Sequence, residues 1–201
     1  MKKSKIRNKR GKNRNPFAES WNYIKESKNY ILFAALVFVI FLAIAMIFPT
    51  PKFLESQLNA ILKQLVEQTS GLTGLQLVIF ILRNNISVSA AGVFFGALIG
   101  IVPFVVALSN GYVLGYVFKI VINNGGIGSL WKILPHGIFE LPAILISLGL
   151  GLKLGTSFFI KKPGKEFLRR LLLSIKVFIF IIIPLLIIAA IIEGVLIKLL
   201  G

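Results

Sequence analysis

Apolar positions run almost unbroken from Tyr30 to Phe48, and at about 1.5 Å per residue such a run makes a helix as long as the hydrocarbon of a bilayer is thick. The pattern predicts a first transmembrane helix there. Thr50-Pro51 then reads as a helix start, with Leu54, Leu58, Ile61, Leu62 and Leu65 at helical spacing and Lys52, Glu55, Asn59, Lys63 and Glu67 on the other side. Gly71 is a plausible stop. This amphipathic helix, about 51–70, is expected to lie on the membrane surface or over the bundle, because its polar face has no place in lipid.

The pattern turns irregular from Leu72. An apolar run to Leu82 meets the polar break Arg83-Asn84-Asn85, and Ile86 to Leu108 is expected to be the next full span. Ser109-Asn110-Gly111 reads as a turn, and Tyr112 to Ile122, which contains Lys119, as a short or tilted span before the turn-rich stretch Asn123 to Gly128. Trp131 to Leu154 follows, then a basic loop from Lys161 to Arg170, and finally Leu171 to Leu200 with Pro184 as a kink. If Leu72 to Leu82 enters the membrane, it does so as a re-entrant half-helix. The expected fold is an all-α membrane protein of about five transmembrane helices, with broken or re-entrant central segments and one amphipathic interfacial helix. Residues 1–29 are expected to form a basic tail and 30–201 a single polytopic domain.

Composition agrees: 56% of the 201 residues are hydrophobic, too many for a soluble domain to cover with polar surface. The basic tail before Tyr30 differs from a cleavable signal, so the first span is expected to stay. Cysteine is absent, which excludes disulfides, thiolate metal sites and cysteine nucleophiles, and the seven acids are all glutamate. Positive charge sets the orientation. Residues 1–14 carry eight Lys and Arg without an acid, and the loop from Lys161 carries five against Glu166. Both are expected to face the cytoplasm, leaving the C-terminus outside a cell membrane. The net charge of +16 is read as topology signal and attraction to anionic lipid, not as specific nucleic-acid binding.

Two sets of residues could carry a mechanism. Gly92, Gly96 and Gly100 stand four apart, as do Gly111 with Gly115 and Gly151 with Gly155, the small-residue spacing that lets helix backbones approach closely in lipid. They predict a tight bundle of the second to fourth spans, with the first and fifth at its periphery, or an oligomer interface. The second set is polar. His136, the only histidine, and Glu140 are one helical turn apart, so they share a face that should point at protein or water. Asn84, Asn110 and Lys119 are candidate partners for a buried polar site. The readings left open are a hydrogen-bonded lock between helices and a proton or solute site. One histidine and one carboxylate do not complete a zinc site, and no phosphate loop or nucleophile elbow is present, so no metal, cofactor or catalytic activity is expected.

Asn84 before the glycine stripe, Gly96 and Gly100 within it, Asn110-Gly111 with Gly115, Pro135-His136-Gly137 with Glu140-Leu141-Pro142-Ala143, and Gly149 with Gly151 resemble the stage II sporulation protein M family of integral membrane proteins. The resemblance covers Leu72 to Gly155. It implies a fold and a motif more than an activity: the founding member works as a membrane scaffold for peptidoglycan-degrading partners, and many relatives occur in organisms that do not sporulate, archaea included. This chain offers only short segments outside the membrane, so an extracellular partner would dock through helices or the Lys52 to Glu67 element. The leading expectation is a non-enzymatic scaffold that organises membrane or extracellular protein partners. The alternative is a small transporter or channel in which Asn110, Lys119, His136 and Glu140 line a polar route.

Overall fold

A computed structural model describes the backbone of residues 15–132 and 134–200, and side chains over 15–131 and 137–196. Among the described residues the structure is helical without a strand. Asn15 caps the first helix, α1 (Pro16–Glu26), by accepting a 3.0 Å bond from the Phe17 N–H, with Pro16 at the first helical position. Only Ser27 separates it from α2 (Lys28–Ile47), which is apolar all round and stops ahead of Pro49. Next comes α3 (Lys52–Thr69), the amphipathic helix. Its buried residue is Leu58, and Tyr116 Oη donates a 2.8 Å bond to Asn59 Oδ1, so α3 lies over one end of the bundle.

The middle of the chain departs from the expected partition. Leu72 to Leu82 is no half-helix: it belongs to one continuous helix, α4 (Gly74–Phe94), which runs straight through Arg83-Asn84-Asn85. A helix satisfies its own backbone in lipid, so polar side chains there need only a face to occupy. Asn85 turns inward and is buried, while Arg83 and Asn84 are exposed on the flank. The reversal falls instead at residues 95–100, a stretch the apolar pattern passed over. A 3₁₀ turn (Phe95–Ala97) leads to Ile99 at φ 55° and Gly100 at φ 75°, both left-handed. That conformation strains the β-branched Ile99 and suits Gly100.

Asn110-Gly111 is likewise no turn. It lies inside α5 (Ile101–Gly125), where Asn110 Nδ2 donates a 2.8 Å bond to Val106 O one turn back. Gly111 is required by packing: a Cβ there would strike the backbone of Phe38 on α2. After a 3₁₀ segment (Ile127–Lys132) the chain forms α6 (Leu134–Gly155), then α7 (Pro163–Val177), a π-helical turn (Phe178–Ile182) and α8 (Ile183–Leu200). The π-turn ends two residues before Pro184, whose ring removes a helical donor, so the expected kink takes the form of a widened turn just ahead of it. Among the described residues, five helical stretches are long and apolar enough to cross a membrane: Lys28–Ile47, Gly74–Ala97, Ile101–Gly125, Gly137–Phe159 and Pro163–Leu196.

Helix α6 is the axis of the bundle. A Cβ on Gly96 would stand 2.5 Å from Gly151 Cα, and one on Gly155 would stand 2.7 Å from Gly96 O, so α4 and α6 meet backbone to backbone. The fifth span is not peripheral, since Val177, Ile182, Leu186 and Ala189 are fully buried; the first is the least buried of the five, as expected, yet it docks closely. It takes Gly111 and Gly115 of α5 against the backbones of Phe38 and Leu42, and Gly149 of α6 within 2.6 Å of Ile31 Cα by the same measure. The glycines sit on α5 and α6, so α2 needs none of its own to join the close-packed core. Five crossings put α1 and α7 together at one end of the bundle and α3 at the other.

Candidate functional site

Four polar side chains from three helices converge in the half of the bundle nearer α3. Asn84 and Asn85 stand midway along α4, Glu140 in the second turn of α6, and Glu193 in the second half of α8. They line one cavity of about 550 Å³, bordered by Leu65, Val66, Thr69 and Ser70 from the end of α3. Asn84 Nδ2 donates to Asn85 Oδ1 at 3.3 Å, and the Asn85 carboxamide lies beside the Glu140 carboxyl. Glu193 shares this cavity with Glu140.

Glu140 also lines a second cavity, of about 170 Å³, with Asn110 and Phe38 on its α5 side. It therefore stands between two hollows. Among the described residues neither hollow has a lysine or arginine in its lining. Beyond Glu140, along α6, Ala143, Ser147 and Leu148 are fully buried. A Cβ on Gly92 would meet Leu148 Cδ2 at 2.8 Å, so the α4–α6 seam is closed there. The larger cavity is bordered by the end of α3 and by α4.

Of the residues singled out in the sequence, Asn84, Asn110 and Glu140 line these cavities. The side chain of His136 lies outside the described residues. Lys119 is not brought to the site: its Nζ donates 2.7 Å to Phe48 O, capping the end of α2, where a cation suits the carbonyl end of a helix. Glu193 was missed. Its signal was available, since it is the lone acid in the run from Leu171 to Leu200, and an ionisable residue within a span asks for a partner.

A second polar cluster at the α1–α7 end was missed as a whole. The Lys153 side chain is 4% exposed, and its ammonium donates to Glu26 Oε1 at 2.9 Å and to Ser27 Oγ at 3.1 Å while standing 4.1 Å from the centroid of the Tyr23 ring. Arg170 donates to Lys153 O and, at 2.9 Å, to Thr156 Oγ1. Arg169 bridges Glu26 at 3.0 Å and Glu166 at 2.7 Å, and Lys176 reaches Glu19 at 2.7 Å. Burial raises the Glu26 pKa, but the bonds from Arg169 and Lys153 outweigh it and leave the carboxyl below its usual range. Burial pushes the Tyr23 phenol up to about 12. Every charge here has a partner, and the cluster ties α1, α6 and α7 together. The contrast with Glu140 and Glu193, which line a cavity with no lysine or arginine among its described residues, makes the cavity the candidate site.

No solved structure matches the chain. It is similar to a protein of Methanocaldococcus jannaschii that is itself described only as uncharacterized, at 30% identity over 133 residues, 60% of this chain and 55% of the relative. The chain thus spans about half the length of that relative. The family model described as stage II sporulation protein M matches residues 31–196, which takes in all five spans and both carboxylates of the cavity. On that match, the chain belongs to the stage II sporulation protein M family.

Proposed function

We propose that the protein is a non-catalytic assembly factor of the cell membrane, which recruits protein partners through its intramembrane carboxylates. The observation that carries this reading is the cavity that holds Glu140 and Glu193 with no lysine or arginine among its described lining residues. Two uncompensated carboxylates within a membrane are expensive, and a basic side chain of a partner helix relieves that cost. A bundle locked by backbone contacts at Gly96, Gly111 and Gly149 is a rigid frame on which to hold them. The α1–α7 end is cytoplasmic in this reading, as Lys161, Lys162, Lys165 and the basic tail favour, and the cavity opens toward the outer face.

The test compares the full-length protein with a Glu140→Gln, Glu193→Gln variant in two assays. Complexes recovered from its own membranes should lose their partner polypeptides in the variant. Proton and cation flux into vesicles carrying the wild type should match protein-free vesicles. Flux through the wild type that Glu140→Gln abolishes would overturn the assembly reading in favour of transport. That second reading draws on one specific feature, the position of Glu140 between two hollows, where a side chain could pass a proton or cation from one to the other.

A further inference from the structure

Arg83 is exposed on the flank of α4, nine residues into a helix of 21, and among the described residues it pairs with no carboxylate. A guanidinium facing lipid at that depth is as poorly placed as the carboxylates inside the cavity. All seven glutamates of the chain lie within the described residues, so its own fold holds no remedy. Ser87, one turn further along, is exposed on the same face, and Asn84 beside it is exposed at the cavity's border. The outward face of α4 thus carries a cation and a polar stripe next to a hollow whose described lining holds no lysine or arginine.

We propose that a second copy of the chain docks against this face of α4, and that Arg83 of each copy enters the other's cavity to pair with Glu140. Height supports the pairing. Asn85 lies beside Glu140, and Arg83 is two residues from Asn85, about 3 Å along the helix axis. A two-fold axis along the bundle keeps every residue at its own level in both copies, so Arg83 meets Glu140 without a shift in depth. The same symmetry makes the contact reciprocal, and both surplus charges are neutralised together. This inference rests on the assembly reading and names its first partner.

The natural absence of cysteine gives a clean experiment. Single-cysteine proteins Ser87→Cys and Leu36→Cys, the latter on an exposed face of α2, are oxidised in membranes with a lipid-permeable catalyst. Ser87→Cys should give a disulfide dimer at least about fivefold more abundant than Leu36→Cys, which reports chance collision. In the Ser87→Cys background, Arg83→Gln and Glu140→Gln should each lower the dimer to the collision level. Arg83→Lys should keep most of it, and the double substitution should cost no more than either alone, as for directly coupled residues. Retention by Arg83→Lys guards against simple misfolding at that position. A Ser87→Cys yield equal to that of Leu36→Cys, or a yield indifferent to Arg83→Gln, overturns the proposal and leaves Arg83 to lipid headgroups or to a different protein. Self-association is read from the disulfide-linked dimer of this chain alone, so its failure leaves recovery of other partners, the test of the assembly reading, to stand or fall separately.

Discussion

Gly96→Ala adds one methyl group to the place where α4 and α6 are closest. The new Cβ would stand 2.5 Å from Gly151 Cα, whereas carbon atoms pack best at about 3.5–4.0 Å, so the two helices must part by about 1 Å. The opposing atoms are backbone and have no rotamer through which to yield. Parting the helices also loosens the neighbouring contacts of Gly92 with Leu148 and of Gly155 with Gly100. Overpacking costs about 1–3 kcal/mol, and an obstacle of backbone places Gly96→Ala near 3 kcal/mol. For a chain of this size each kcal/mol moves the melting point by about 2–4 °C, so a fall of about 6–12 °C is expected. Thermal melts of the purified full-length protein in detergent, followed by far-ultraviolet circular dichroism, would read it. Gly164→Ala and Gly71→Ala are the controls: nothing lies within 4 Å of a Cβ at either position, so both should melt like wild type or slightly higher. A Gly96→Ala protein that melts with these controls would refute close backbone contact as the lock of the bundle.

Other substitutions probe the ends of the molecule. Lys153→Ala should lower stability by about 2 kcal/mol, the worth of a hydrogen bond to a charged group, because the Glu26 it leaves behind is exposed and keeps its bond to Arg169; a melting point unchanged from wild type would show the clamp to be idle. Tyr116→Phe deletes the hydrogen bond that holds Asn59 of α3, worth about 1 kcal/mol, so amide exchange within α3 should quicken roughly fivefold while α6 is unaffected; equal exchange in both proteins would mean that Leu58 alone seats the helix. The folded state lowers the Glu26 pKa, so its contribution is complete above the ordinary carboxylate range and is lost as the pH falls through the lowered folded value. The difference in melting point between wild type and Glu26→Gln should therefore shrink on acidification, and a gap that widens would reverse the assigned sign.

Much of the architecture was legible because hydrocarbon imposes simple rules. The span from Tyr30, the amphipathic helix and the span from Trp131 follow from apolar length or helical period and lie within a few residues of their expected places, whereas the last span starts at Pro163 rather than Leu171, because most of the expected basic loop from Lys161 to Arg170 is the start of α7. The glycine spacing announced close helix contacts, and Gly96 with Gly151 and Gly111 with Phe38 supply them. Tertiary partners were less legible. Glu140 and Asn84 lie 56 residues apart in sequence yet share a cavity, and nothing local tells Asn84 to join it rather than Lys119, which caps α2 instead. Lys153 escaped notice because it is a single cation in an apolar run, and its role depends on Glu26, in a helix 127 residues earlier.

The two misplaced boundaries share one cause. Asparagine and glycine mark turns in soluble proteins because water accepts the backbone groups that a turn releases. Within a bilayer no water is there to accept them, so the same residues are worth more inside a continuous helix: glycine as a place for another backbone, asparagine as a polar group that can bond its own helix or face a cavity. Asn110 does the first and Asn84 with Asn85 the second, while Gly111 admits α2. The true reversal at Gly100 lacks a polar mark altogether, because α6 covers it: Gly155 sits against the Gly100 N–H and the carbonyl of Gly96. A turn packed against a helix inside the bundle can be built from Phe, Ala, Leu, Ile and Gly, which is why residues 95–100 read as the middle of a span. The same logic separates the two polar clusters, since side chains that bond within the chain, as at Lys153, hold the fold, whereas Glu140, Glu193 and Arg83 have no ion-pair partner among the described residues and point to what joins the bundle.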